Sequence, residues 1–424
     1  MQEKKELKIK FSTAIAIIII TLIIIVSIIA VIINRNTQEE NEQNNILPTT
    51  ESENKQTGTD FSMQFLQLEN NKQNIIYSPL SIKYALNMLN EGANGNTKTQ
   101  IENVIGNLSL TKYNNIDEVL SLANSVYIRD TYSKDIKEEY IKTLNDKYNA
   151  EINYDSFANA NNINKWIENK TLGIIKNMID DNVVQNPYTQ MLLINALAIN
   201  MEWQEPFEDN TYGEKFYLAD GNQMNATMMH KETKSDSISY YKDEDVTLLA
   251  MDLQKYDDTQ LEFIAIMPEE NLSSYIEKFS TEDLNNIMKK TTLASKTDNG
   301  LEITIPRFSF EYNLKLKEDL MKLGITDAFD MNLADFSNMA DEKFFVSDAL
   351  HKANIDFTEK GIKAAAVTAM ILQNTAIIEE PTSPEVIKID KPFMYFLQDK
   401  NTKEIWFVGT VYEPDSWEED SLNY

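Results

Sequence analysis

The spacing of apolar residues changes several times along the chain, and each change predicts a different element. From Phe11 to Ile33 there is no period: all 23 residues are uncharged and twelve are isoleucine. Asn34 to Thr57 is the opposite, a run of Asn, Gln, Glu and Thr with almost nothing apolar, which reads as a flexible tether unable to bury a core. Leu80, Tyr84, Ala85, Met88 and Leu89 then recur at helical spacing. Ser78-Pro79 supplies an N-cap and first-turn proline for that helix, and Gly92 a stop. Further helices are predicted at Lys137–Tyr148, Ile163–Thr171, Glu282–Lys289 and Leu314–Leu323. Met191–Ile199 is almost continuously apolar, as a strand buried on both faces should be. Val246–Leu253 and Leu261–Met267 flank a polar turn and read as a hairpin. Glu302–Arg307, Leu350–Phe357, Val386–Ile389, Phe393–Gln398 and Ile405–Tyr412 add strands late in the chain. Helices early and strands late, in irregular order, predict a mixed α+β domain rather than a βαβ repeat.

As a helix, Phe11–Ile33 would span roughly 34 Å at 1.5 Å per residue, enough for a hydrocarbon core of about 30 Å. Lys4, Lys5, Lys8 and Lys10 precede it and only Arg35 follows closely, so the positive-inside rule keeps residues 1–10 cytoplasmic and exports the rest. The run is longer than a signal-peptide core, and Val31-Ile32-Ile33-Asn34 offers no small-x-small cleavage site. The expectation is an uncleaved signal anchor at 11–33 and a linker at 34–57. A domain at 58–416 and an acidic tail at 417–424 follow. That places the domain outside the cytoplasm on a single-pass cell-membrane protein; secretion after signal cleavage is the alternative.

Composition removes whole classes of chemistry. There is no cysteine, which excludes disulfides, thiolate metal sites and Cys nucleophiles. His230 and His351 are the only histidines, so imidazole metal clusters are excluded as well. No metal and no cofactor is expected. A net charge of −28 repels phosphate backbones and argues against a nucleic-acid partner. No Walker loop, G-x-S-x-G or H-E-x-x-H occurs, and nothing supplies a nucleophile with its base. An enzyme is not expected. His230 has no evident role and is expected to be exposed.

One segment departs from this picture. Almost thirty residues separate the strands ending near Phe357 and beginning near Val386, and Ala364 to Ile378 carries no charge. Propensity alone makes Ala364–Gln373 a helix. A loop of this length in a compact domain is usually functional or disordered, and this one is too apolar for disorder.

Several widely spaced motifs, taken in order, resemble the serpin family from about Asp60 to Pro414. They are Asn74-Ile75-Ile76-Tyr77-Ser78-Pro79-Leu80-Ser81-Ile82, then Gly92-Ala93-Asn94-Gly95-Asn96-Thr97. Asn195-Ala196 leading to Trp203 and Pro206-Phe207 comes next, then Pro306-Arg307-Phe308. The last are Thr358-Glu359-Lys360-Gly361, the alanine-rich run, and Lys391-Pro392-Phe393. The resemblance implies a serpin fold: mixed helices around a large central sheet, two smaller sheets and an exposed reactive loop. It also implies a suicide-type inhibitor. A target protease cuts the loop and becomes acylated; the loop then inserts into the central sheet and traps it. The hinge would be Glu359, Gly361, Ile362, Ala364, Ala365, Ala366 and Thr368. Ile362 stands where the family usually has a small hydroxyl residue, and Lys363 where it often has an acid.

Ala364, Ala366, Thr368, Met370 and Leu372 share one side of an extended strand and are all uncharged, as burial requires. Counting from Glu359 in the family's way puts the reactive bond at Thr375–Ala376; counting back from Lys391 puts it at Pro381–Thr382. No Lys or Arg lies between Lys363 and Lys388. Elastase-, subtilisin- or papain-like serine or cysteine proteases are therefore expected as targets, and trypsin-like ones are not. Ser78, Ser81, Asn195 and His351 match the family's polar cluster where the sheet opens. Trp203 matches the tryptophan where the loop enters, with a plain core role equally open. There is no basic cluster for heparin, and a monomer is expected. The alternative is a non-inhibitory serpin-fold binding or chaperone module, against which the small hinge residues argue.

Overall fold

A computed structural model of the protein describes residues 60–106, 110–207, 210–314, 316–362 and 383–418. The readings for residues 1–57, and for the loop from Ala364 to Thr382, lie outside the described residues. Among the described residues no helix is long and apolar enough to cross a membrane.

The chain is α+β, with short helices against four hydrogen-bonded ladders. Seven antiparallel strands form the largest. Its central members, Val246–Asp252, Leu261–Pro268, Phe393–Asp399 and Ile405–Val411, are buried along their whole length. That is why these segments read as unbroken apolar runs rather than as alternations. A four-stranded ladder orders Glu385–Lys388, Leu301–Pro306, Gln223–Thr233 and Thr211–Tyr217. The remaining two ladders are Glu151–Asp155, Leu120–Arg129, Met191–Ile199 and, separately, Phe308–Leu314, His351–Phe357, Gly361–Ile362, Met201–Glu202. Only Asn200 separates Met191–Ile199 from Met201–Glu202, so these two ladders are one sheet joined at an end and parted below it. The expected large central sheet is therefore present in two halves.

The helix Pro79–Gly92 begins as its sequence dictates. The Ser78 side chain accepts from the N–H of Ser81, and Pro79 occupies the first turn, where no donor is needed. This helix lies under the parted sheet. Asn161–Lys170 covers the other face, where Ile163 and Ile167 pack in one cluster with Leu192 and Ile194. Strand alternation then sends Met191, Leu193, Leu197 and Ile199 toward the main core.

Several expectations need correction. The helix expected at Leu314–Leu323 runs from Leu316 to Lys322, because Leu314 ends the strand Phe308–Leu314, paired with His351. The first half is not mainly helical: Leu120–Arg129, Glu151–Asp155, Thr211–Tyr217 and Gln223–Thr233 are strands. Buried Asn124 and Ser125 interrupt the apolar pattern of the first of these. The acidic tail does not begin at Trp417. Its N–H bonds to the Asn225 carbonyl at 2.9 Å, and its ring fills the space a side chain at Gly213 would need.

Candidate functional site

At the joined end of the parted sheet, residues Thr358 to Ile362 turn back along the strand they follow. The Thr358 N–H and hydroxyl both donate to the Gly361 carbonyl, at 3.0 and 3.1 Å. Trp203 holds this turn from outside. Its backbone N–H donates to the Lys360 carbonyl and its indole N–H to the Thr358 carbonyl, both at 2.9 Å. The Phe207 N–H donates to the Glu359 carbonyl at 2.8 Å, and the Thr211 hydroxyl to the Glu359 carboxylate at 2.8 Å. The Trp203 ring is also buried edge-on against Phe357 and Phe263. Both readings of Trp203, core and loop entrance, therefore describe the same residue.

Gly361 and Ile362 form a two-residue strand between His351–Phe357 and Met201–Glu202, antiparallel to each, with Ile362 opposite Phe357 and Met201. A Cβ at position 361 would sit 2.2 Å from the Met201 carbonyl oxygen and 2.6 Å from Glu202 Cα, so only glycine fits. Ile362 is buried.

Below this short strand the two halves face each other across unpaired edges. Met191–Ile199 pairs with Leu120–Arg129 on one edge and, among the described residues, with nothing on the other. Two cavities lie along that gap. The upper touches Leu197, Ala198 and Ile199 on one side and Asn354, Ile355 and Ile362 on the other. The lower touches all of Met191, Leu192, Leu193 and Ile194, and on the opposite side most of Phe344 to Leu350. Consecutive strand residues point to opposite faces. A cavity that touches every one of them reaches the strand at its edge. The gap thus has the position of a missing strand.

A polar chain divides the two cavities. His351 Nε2 accepts from the Ser78 N–H at 3.0 Å, and Ser78 Oγ accepts from the Ser81 N–H at 3.1 Å. Ser81 Oγ donates to Asn195 Oδ1, Asn195 Nδ2 to Asn124 Oδ1 at 2.6 Å, and Asn124 Nδ2 to the Tyr148 carbonyl at 2.8 Å. The parted strands are therefore connected through the first turn of the helix Pro79–Gly92. All four residues expected in this cluster belong to it. Asn124 was missed; an Asn in a strand otherwise destined for the core was the available signal.

Burial pushes the His351 imidazole down from 6.5 to about 4. The neutral ring is the one that can accept from Ser78 at Nε2. Because the folded value is depressed for a base, this stabilisation is complete above the unfolded value of 6.5. It is lost as pH falls from there toward 4, where both states are protonated. The loss is about 3 kcal/mol, from roughly 2.5 pH units at 1.36 kcal/mol each. His351→Gln keeps an acceptor and cannot titrate. Urea unfolding between pH 7 and 4 should show a shallower slope for the variant than for the native chain; equal slopes would show that His351 is not the titrating group.

At the other end of the loop the chain re-enters as Glu385–Lys388, parallel to Leu301–Pro306. Lys388 pairs with Glu214 at 2.6 Å and Lys391 with Glu269 at 2.7 Å. His230 corrects an expectation here. It is buried, stacked on Tyr212 with ring centroids 4.0 Å apart, and its Nε2 lies 3.2 Å from Glu214. Its strand packs between two neighbours, and that long-range pairing leaves no mark in local sequence. Thr375, Ala376, Ala364, Ala365, Ala366 and Thr368 lie outside the described residues. Among the described residues no group of three acidic or histidine side chains could hold a metal ion.

A family model described as serpin (serine protease inhibitor) matches residues 53–414. The chain belongs to the serpin family. An uncharacterised serpin-like protein of Thermococcus kodakarensis is 28% identical over 373 residues, covering 82% of this chain and 83% of that one. Among solved structures, the thermophilic serpin tengpin in its native state is 28% identical. It aligns with a TM-score of 0.70 over 84% of this chain and 92% of its own. Thyroxine-binding globulin, solved with thyroxine, is 26% identical with a TM-score of 0.70 over 85% and 98%. The helices, the large antiparallel sheet and the smaller sheets of this serpin are those of the family fold.

Proposed function

We propose that this serpin is a suicide-type protease inhibitor. The protease's hydroxyl or thiol attacks the Thr375 carbonyl carbon and the peptide bond to Ala376 breaks. The amine of Ala376 leaves with a proton, and the serpin remains as an ester or thioester on the protease. Insertion of the freed strand then outruns hydrolysis by water.

The observation that carries this reading is the pairing already made by Gly361 and Ile362 beside an open strand-shaped gap. Continued downward, the same register would set Ala364 opposite Ile199 and Ile355, and Ala366 opposite Leu197 and Ala353. It would set Thr368 opposite Asn195 and His351, and Met370 opposite Leu193 and Ala349. Ile199, Leu197, Ala353 and Ile355 belong to the main core, so the even-numbered loop residues would be the ones buried. Thr368, the one hydroxyl among them, would arrive at the polar chain.

The test is a mixture of the full chain with elastase-, subtilisin- and papain-like proteases. At least one should give an adduct that survives boiling in detergent. Mass spectrometry of the released carboxyl-terminal peptide should show a start between Ala376 and Glu379; a start at Thr382 would move the reactive bond to Pro381–Thr382. Cleavage by all three classes with no adduct would favour the second reading, a non-inhibitory binding module. The likeness to a globulin solved with thyroxine supports that reading. The 11–33 run supports a signal anchor that holds the domain outside the cytoplasm. Proteinase added to intact cells should then cut the serpin domain; complete protection would place it inside.

A further inference from the structure

The lower cavity of the gap has a lining that a strand alone does not explain. Leu86, Leu89, Leu193, Phe336, Met339 and Phe344 contribute apolar walls around a volume of about 90 Å³ open to a water's centre. A single water needs about 10–15 Å³ by that measure, so there is room for a small organic molecule. Asp348 is the one ionisable side chain among the lining residues. Its Oδ1 accepts from the Ala349 N–H at 2.8 Å, and it makes no ion pair among the described residues. The Lys317 ammonium beside the same segment donates instead to the Ser347 carbonyl at 2.7 Å and lies over the Phe329 ring. An apolar chamber with one carboxylate that lacks a cation selects an apolar molecule bearing a positive charge, and rejects an anion of the same shape.

We propose that this cavity binds a small apolar cation, an aryl- or alkylamine, which salt-bridges Asp348 and fills the lower half of the gap. The regulatory consequence rests on the loop-insertion reading above: Met370 and Leu372 would need the same space. A bound amine must leave before insertion is complete, and the acyl-enzyme is hydrolysed in the meantime. The amine therefore turns the inhibitor toward a substrate.

The test uses the full chain and two water-soluble probes of similar size, 2-phenylethylamine and 3-phenylpropionic acid, with binding read by calorimetry. The amine should bind the intact protein at least about tenfold more tightly than the acid, the effect of opposite against like charge near one carboxylate. Asp348→Asn keeps the acceptor for the Ala349 N–H and removes the charge, and should abolish the preference. Loop-cleaved protein should not bind the amine, and saturating amine should at least double the ratio of cleaved to trapped serpin. Equal affinities for the two probes, a preference that survives Asp348→Asn, or an unchanged ratio would each overturn the proposal. The melting temperature of cleaved protein without ligand separates the two readings. If it rises normally and the amine does not bind, only this proposal falls. If it does not rise, the loop reading falls, and the Asp348→Asn comparison still decides the binding site.

Discussion

Cleavage of the loop at Thr375–Ala376 is expected to raise the melting temperature of this serpin by on the order of 10–15 °C. Before cleavage the loop is tied at Ile362 and again at Glu385, and only its first two described residues are paired in the sheet. Cutting it frees the segment from Ala364 onward to complete ladders on two edges that are otherwise unpaired. Two apolar cavities are filled, and Met370 and Leu372 leave water. Against this stands the entropy of ordering about nine residues; taken together the net gain is on the order of 10 kcal/mol. A domain of roughly 360 residues loses stability near its midpoint at about 0.75 kcal/mol per degree, which converts that gain into about 13 °C. Differential scanning calorimetry of intact and cleaved protein measures it. An unchanged or lower midpoint would mean that the gap is not a vacancy for this strand.

The parts of this mechanism that were legible in the sequence are those that act locally. Ser78-Pro79 opens its helix by capping chemistry that any chain would obey, and Met191–Ile199 reads as a buried strand because both its faces are covered. The hinge glycine could be singled out as part of a motif. Its physical reason, a contact of 2.2 Å with the Met201 carbonyl, required the fold. Asn124 and His230 were not read because what fixes them is cross-strand and distant: Asn124 meets Asn195 across 71 residues, and His230 stacks on Tyr212 within a hairpin. The gap itself has no sequence signal. Residues such as Leu193 and Phe344 look like ordinary core until the partner strand is found to be absent from the edge between them. An expected β-strand can be inferred from periodicity. An unpaired edge of it cannot, because pairing is a property of the neighbours.

The register at Ile362 leads to the sharpest mutational contrast. Ile362 faces the core, so by strand alternation Ala366 would face it too, opposite Leu197 and Ala353, while Ala365 would face outward near half-exposed Asn354. Ala366→Glu then asks a carboxylate to enter a space bounded by apolar side chains. The polar chain of Asn195 and His351 lies two residues further down, and His351, held neutral by burial, offers no positive charge. An unpaired buried carboxylate costs roughly several kcal/mol. Each 1.4 kcal/mol or so that reaches the transition state slows insertion about tenfold. Hydrolysis of the acyl-enzyme is not slowed, so the race is lost. Ala366→Glu is expected to be cut as a substrate with adduct yield reduced at least tenfold, whereas Ala365→Glu, whose carboxylate stays in water, should still trap. Both variants are folded and cut in this account, and cleavage rate serves as the control for each. Equal loss in the two, or a larger loss in Ala365→Glu, would show that the strand enters in the other register, with every side chain turned to the opposite face.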